Sequence, residues 1–262
     1  MRRNLQPAIP RTIWYVLLSL VWALAVPLTD ARSERLRPHE ESSPALFPAP
    51  HPIEADTTCP TIAPGLERRS PDTLAAARDL RSVASATAGS LFVHALVEIP
   101  AGTSDKWEVT PDGRFLAIEQ VDGRRRRIQY LPYPANYGFI PNTRSNPDAG
   151  GDGDPLDVVL LGPALPCGAV VRARILGVLR LVDDGEQDDK ILAVPPDSPL
   201  AGVGDIDDVR RQYPGLLDIL ETWFLRYEGP GNRSQGFGHA AAAWSIVREA
   251  ALLDPESPPQ QR

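Results

Sequence analysis

Three carboxylates fall within six residues at Asp152-Gly153-Asp154-Pro155-Leu156-Asp157. Folding that much negative charge together is unfavourable unless a partner neutralises it. Hard divalent cations do so through oxygen ligands, and Mg²⁺ typically takes one or two carboxylates while keeping waters and substrate phosphates. The run also fits a solvated turn, because Asp, Gly and Pro dominate turns. The calcium-loop pattern D-x-D-x-D-G with a closing Glu is not met. A second cluster, Asp183-Asp184-Gly185-Glu186-Gln187-Asp188-Asp189, has the same two readings and ends on Lys190. Lys190 and Lys106 are the only lysines of the chain, and Lys106 also has acidic company in Glu98 and Glu108. Carboxylates that hold a divalent cation, beside isolated cations that hold phosphate oxygens, are what metal-assisted phosphate chemistry requires.

A folded core must position these residues. Of 262 residues, 42% are hydrophobic, enough to build one. The run Val158-Val159-Leu160-Leu161 reads as a buried strand, so the first cluster sits where a loop enters a strand. Strand-like runs at 91–99, 106–109, 115–119, 155–161, 169–182 and 190–194 alternate with turn signals such as Pro111-Asp112-Gly113 and Asp122-Gly123. Within 169–182, Val171, Ala173 and Ile175 alternate with Arg172 and Arg174, the period of a half-buried strand. Many short strands with regular turns predict an antiparallel barrel. The period changes near Asp205. Asp205-Ile206-Asp207-Asp208 predicts a helix start. Pro214 is expected at the first position of a second helix carrying Leu216, Leu217, Leu220, Trp223, Phe224 and Tyr227. Residues 240–253 predict a third, with Trp244, Val247 and Ala251 on one face.

The N-terminus reads as a targeting segment. Arg2, Arg3 and Arg11 precede the apolar stretch 13–25, and Ala23-Leu24-Ala25 offers a small-residue cleavage site. Residues 1–25 are therefore expected to be a signal peptide. An uncleaved anchor, extending to Leu28, is the other reading and would be the only membrane attachment. Residues 26–90 read as a proline-rich arm or linker, with a short helix expected at 71–83. The folded domain is expected at 91–254 and a disordered tail at 255–262. Export would place Cys59 and Cys167 where a disulfide persists, and a bond stapling the arm to the domain is the expectation, with two unpaired thiols as the other reading. The four histidines have no zinc-ligand spacing. A net charge of −7 gives no sign of nucleic-acid binding.

Several ordered blocks together resemble the family I soluble inorganic pyrophosphatases. The signature Asp-x-Asp-Pro-x-Asp, preceded by an Asn-Tyr-Gly segment, is present as Tyr133-Pro134-Ala135-Asn136-Tyr137-Gly138 and then Asp152-Gly153-Asp154-Pro155-Leu156-Asp157. Glu98-Ile99-Pro100-Ala101-Gly102, Lys106-Trp107-Glu108 and Asp183-Asp184 with Asp188 and Lys190 are similar too. The resemblance implies a mainly β (α+β) fold, a five-stranded OB-like closed barrel with two or more packed helices. It implies Mg²⁺-dependent hydrolysis of pyrophosphate to two phosphates, with several ions per site and Mn²⁺ or Zn²⁺ as substitutes. Asp152, Asp157 and Asp188 would be the main metal ligands, with Asp183 and Glu98 serving metals that arrive with substrate. Asp154 would be the base for the attacking water. Lys106, Arg125, Tyr137, Lys190 and Tyr227 would contact phosphate, with Glu108, Tyr133 and Asp184 in support. Arg125 is chosen from Arg124-Arg125-Arg126-Arg127 by its distance to Tyr133.

The resemblance also admits a homo-oligomer. Most relatives are cytoplasmic, so the signal segment would make this an exported, periplasmic or secreted variant. The chain departs from the family pattern in two places: Gly229-Pro230-Gly231-Asn232-Arg233-Ser234 stands where the family is usually more basic, and the residue before that segment changes sign. Glu228 follows Tyr227 where the family carries a phosphate-binding lysine, and Arg226 or Arg233 would have to supply that charge. A phosphate- or metal-binding module without turnover, or a calcium-stabilised extracellular domain, are the competing readings.

Overall fold

A strand that is apolar at every position must have both faces covered. In the computed structural model, which describes residues 59–86 and 90–251, this holds for the strand after the first acidic cluster. Val158 and Leu160 pack in one apolar cluster with Ala243 and Val247, while Val159 and Leu161 pack in another with Leu217, Leu220, Trp223 and Phe224. The expected signal segment, much of the expected arm and the 255–262 tail lie outside the described residues.

The strands are β1 (Leu66–Ser70), β2 (Thr73–Ala76), β3 (Phe92–Ile99), β4 (Trp107–Val109), β5 (Phe115–Ile118), β6 (Gln120–Val121), β7 (Arg124–Arg125), β8 (Asn136–Phe139), β9 (Asp157–Leu160), β10 (Val170–Asp183), β11 (Glu186–Gln187), β12 (Lys190–Val194) and β13 (Arg233–His239). The helices are α1 (Ile206–Gln212), α2 (Leu216–Arg226) and α3 (Ala240–Ala250). β10 pairs with β3 along its first half and with β12 further on. With β3–β8, β8–β9 and β9–β12 pairing, five strands close into a hydrogen-bonded ring, as expected. Only β9–β12 is parallel; the other pairs of the ring are antiparallel. β8 lies so close to β3 that a Cβ on Gly138 would sit 1.9 Å from the Leu96 carbonyl oxygen, which explains the glycine of Asn-Tyr-Gly. Asn136 is fully buried and ties three segments, accepting from the Ala101 and Leu165 N–H groups and donating to the Pro163 carbonyl.

α1 opens as the sequence predicts, with the Asp205 carboxylate accepting the Asp208 N–H at 2.8 Å. α2 does not begin on Pro214. Gly215, at φ +87°, is its cap, and Leu216 is its first residue. α3 ends at Ala250, short of the expected residue 253.

The expected helix at 71–83 is absent among the described residues. β1 and β2 form a hairpin there, and β2 extends a second sheet in the order β1-β2-β5-β4. Leu74 pairs with Leu116 and is fully buried, so long-range pairing overrides the Ala-rich helical composition. The described residues of this segment thus pair and pack with the strands that follow: β2 pairs with β5, and Leu74 and Leu80 join the apolar core. A disulfide joins Cys59 to Cys167, with Cα atoms 5.6 Å apart, and Leu80 packs into the core.

Candidate active site

Strand register brings the two acidic clusters together. β9 and β12 run in parallel with Ile191 opposite Val158, which places Lys190 beside Asp157. The Lys190 ammonium donates to Asp157 and Asp188 at 2.5 Å each and lies 3.4 Å from the Tyr137 hydroxyl. Lys190 is only 2% exposed. Burial pushes its ammonium down, but the two carboxylates outweigh this and raise it overall. Burial pushes the Asp157 carboxyl up, against the pull of Lys190. The first acidic loop is closed by its own backbone. Asp152 Oδ1 accepts the Asp154 N–H at 2.9 Å, and the Asp154 carbonyl accepts the Ser145 N–H at 2.7 Å. Thr143 Oγ1 accepts the Leu156 N–H and donates to the Ile140 carbonyl.

A second group of charges comes from the sheet containing β4 and β5. Lys106 pairs with Glu108 at 2.8 Å and Glu119 at 3.1 Å. Arg126 Nη1 donates to both Glu119 oxygens, and its Nη2 donates to Glu228. Glu98 on β3 is 8% exposed and accepts the Val109 N–H at 2.7 Å. Burial, reinforced by Asp157 and Glu108, pushes its carboxyl up to about 8. At the end of β10, Asp183 is raised by burial and then by Glu228 and Asp188.

Aromatic residues form the wall behind these groups. Trp223 stacks on Tyr227 at 4.3 Å between centroids, and Tyr133 lies 4.6 Å from Trp223 and 5.4 Å from Tyr137. The indole N–H of Trp223 donates to the Leu131 carbonyl, which fixes the face of α2 that carries Tyr227. Burial raises the phenols of Tyr133, Tyr137 and Tyr227, so all three stay neutral donors near pH 7.

These groups line one cavity of about 510 Å³. Of the residues singled out from sequence, Glu98, Lys106, Glu108, Tyr137, Asp152, Asp154, Asp157, Asp183, Asp184, Asp188, Lys190 and Tyr227 all face it. Tyr133 stands behind it, against Tyr137 and Trp223. Arg125 is a correction: it pairs with Asp72 instead, and Arg126 lines the cavity. Arg226 and Arg233 are not among the lining residues, so neither replaces the cation absent at position 228. Glu228 lines the cavity with its carboxylate bound by Arg126. Arg81, which no motif marked, lines it too.

The donor set suits a hard cation. The wall offers carboxylates and no histidine or cysteine, which matches Mg²⁺ and disfavours a soft metal. Among the described residues no three such side chains form a ready-made cage. That fits an ion that keeps waters and takes substrate oxygens rather than one enclosed by protein. Lys190, wedged between Asp157 and Asp188, shows that these two carboxylates accept a shared positive charge.

The family model described as inorganic pyrophosphatase matches residues 95–252. The soluble inorganic pyrophosphatase 1, chloroplastic, of Chlamydomonas reinhardtii is 37% identical over 164 residues, covering 58% of this chain and 58% of its own. The inorganic pyrophosphatase of Pongo abelii is 34% identical over 158 residues, covering 54% of each. The chain thus spans a little over half the length of these curated relatives. Among solved structures, the N-terminally truncated vacuolar soluble pyrophosphatase of Trypanosoma cruzi in complex with PPi is similar at a TM-score of 0.59. It has 27% identity and covers 66% of this chain and 72% of that one. The inorganic pyrophosphatase of Thermus thermophilus is similar at 0.56 with 30% identity, covering 66% of this chain and 97% of that one.

Proposed function

The chain belongs to the inorganic pyrophosphatase family, and from that premise we propose that its cavity hydrolyses inorganic pyrophosphate to two phosphates in an Mg²⁺-dependent reaction. One observation carries the reading. Asp152 and Asp157 of one acidic cluster and Asp188 of the other line the same cavity as Lys106, Arg126 and Lys190.

Asp152, Asp157 and Asp188, with Asp183 and Glu98, would hold Mg²⁺, or Mn²⁺ or Zn²⁺ in its place. When bound, the metal neutralises phosphate charge and lowers the pKa of water toward neutrality. Asp154, on a loop whose own backbone bonds fix it, takes the proton of the attacking water. Lys106, Arg126 and Lys190 donate charge-assisted hydrogen bonds to phosphate oxygens. Tyr137 and Tyr227, kept neutral by burial, donate to further oxygens. Charge developing on the leaving phosphate meets donors already in place, which is where most of the rate gain resides. Glu108 and Glu119 orient Lys106, and Glu119 orients Arg126.

A phosphate-release assay on purified protein with pyrophosphate and Mg²⁺ tests this, with tripolyphosphate and a nucleoside triphosphate alongside. Release from pyrophosphate that Ca²⁺ suppresses supports the reading. Stabilisation by Ca²⁺ with no release from any of the three overturns it. The chain is also proposed to be exported, on its basic and apolar N-terminal segment and the Cys59–Cys167 disulfide. Finding the intact chain in the cytosol alone would end that proposal.

A further inference from the structure

Four cations line the cavity: Arg81, Lys106, Arg126 and Lys190. Three are committed to carboxylates. Lys190 holds Asp157 and Asp188, Lys106 holds Glu108 and Glu119, and Arg126 holds Glu119 and Glu228. Arg81 differs. Among the described residues its guanidinium has no carboxylate within ion-pair distance, and its Nε is buried without a hydrogen-bond partner. Its one side-chain contact of note is with the ring of Phe139, 6.0 Å from the centroid, and Phe139 lines the same cavity. A buried donor left unsatisfied costs stability and calls for a reason.

The position of Arg81 is built, not accidental. Leu80 is anchored in the core and donates its N–H to the Gly113 carbonyl at 2.9 Å. Asp79 Oδ1 accepts the Arg81 N–H at 2.8 Å, and the Arg81 carbonyl accepts the Asn142 N–H at 3.1 Å. Gly113, at φ +69°, makes this approach feasible, because a Cβ there would lie 1.7 Å from the Asp79 carboxylate. The backbone on both sides of Arg81 is therefore fixed before any ligand arrives. A guanidinium with spare donors, held at the wall of a polar cavity, is a preorganised anion-binding group.

We infer that Arg81 is a phosphate-binding residue of this cavity, donating to a phosphate oxygen of the substrate or product. It is supplied by the N-terminal segment, outside residues 95–252 that the family model matches. The inference rests on the pyrophosphatase reading of the site. It assigns this chain a fourth cation, where Glu228 has taken charge away from another part of the wall.

The experiment uses the full chain and inorganic phosphate as probe, at fixed Mg²⁺ and fixed salt. Arg81→Met keeps an unbranched apolar side chain and removes the charge. Arg81→Lys keeps the charge and loses the fork. Calorimetry is expected to show phosphate bound at least about tenfold more weakly by Arg81→Met, as for a lost hydrogen bond to a charged group. Arg81→Lys should fall between the native chain and Arg81→Met, since it keeps the charge and loses the planar fork. KM for pyrophosphate should rise with the phosphate Kd while kcat moves less, the mark of a contact made already in the ground state. Unchanged phosphate affinity in Arg81→Met overturns the inference. So does an Arg81→Lys variant weaker than Arg81→Met, because a positive charge at this position would then count against phosphate binding. If the native chain binds phosphate through Arg81 yet leaves pyrophosphate intact, the hydrolytic reading falls and the anion site stands.

Discussion

Arg126 reaches Glu228 across 102 residues of sequence and donates to its carboxylate from Nη2, while Nη1 is held by Glu119. The carboxylate at position 228 is therefore not a bare charge facing the substrate. It competes with phosphate for the same guanidinium. Glu228→Gln should release that hold and remove one negative charge from the wall. The expected gain is roughly 1 kcal/mol, or about fivefold tighter inorganic phosphate binding, the scale of a partly exposed ion pair. Calorimetry with phosphate measures it. Weaker binding would mean that Glu228 positions Arg126 rather than competing for it.

Why Arg126 and not Arg125 was hidden in the sequence follows from the β6–β7 ribbon. Arg125 pairs with Gln120 there, and successive side chains of a strand point to opposite sides. Four arginines in a row give no pattern to choose between the two sides. Distance to Tyr133 settled nothing, because the loop between them follows no fixed period. The acidic loop was legible for the opposite reason: its turn residues, its carboxylates and the apolar run of β9 are all local. The hairpin at 66–76 was not, since its apolar residues are matched only by β5, far along the chain. Arg81 shares that origin, as its place depends on Gly113 and Asn142 rather than on any neighbouring motif.

Asp154→Asn should leave the fold intact and cut pyrophosphate turnover by about 10² or more. The backbone bonds that shape the loop, from Asp154 N–H to Asp152 and from Ser145 N–H to the Asp154 carbonyl, do not use the Asp154 side chain. Steady-state phosphate release beside a thermal melt separates chemistry from folding. Full turnover in this variant would remove Asp154 from the role of base.

Lys190→Met should destabilise the metal-free protein by about 3–5 kcal/mol, because Asp157 and Asp188 would be left without their shared counterion. Mg²⁺ should recover more stability in this variant than in the native chain, since it can occupy the same two carboxylates. Chemical denaturation in chelator and then in excess Mg²⁺ gives both numbers. Equal Mg²⁺ stabilisation of the two proteins would contradict a metal role for this pair.

Glu98 makes the metal-free stability depend on pH in a defined direction. Its carboxyl is raised from 4.5 to about 8 in the folded chain. Between those values the folded state binds the proton and the unfolded state does not. The contribution is thus fully present below about 4.5 and is lost as pH rises toward 8, amounting to a few kcal/mol. Glu98→Gln, which cannot titrate, should flatten this slope. Urea midpoints from pH 5 to pH 8 in chelator, compared for the two proteins, test the assignment. Parallel slopes would place the titration elsewhere.

The Cys59–Cys167 bond spans 108 residues and anchors the segment that leads to β1, β2 and Arg81. Closing a loop of this length in the unfolded chain is worth at most about 4–5 kcal/mol on the chain-entropy account. Replacing both cysteines by serine should therefore lower the denaturation midpoint by a corresponding amount. Most of the ring formed by β3, β8, β9, β12 and β10 does not depend on the bond, so those strands should keep their hydrogen-exchange protection. The residues 59–86 should lose theirs first, because the disulfide and the hairpin pairing to β5 are what hold them. Phosphate affinity should fall together with that protection, since Arg81 is fixed by the same segment. A doubly substituted chain with native protection over 59–86 would show that β-sheet pairing alone is enough to seat Arg81.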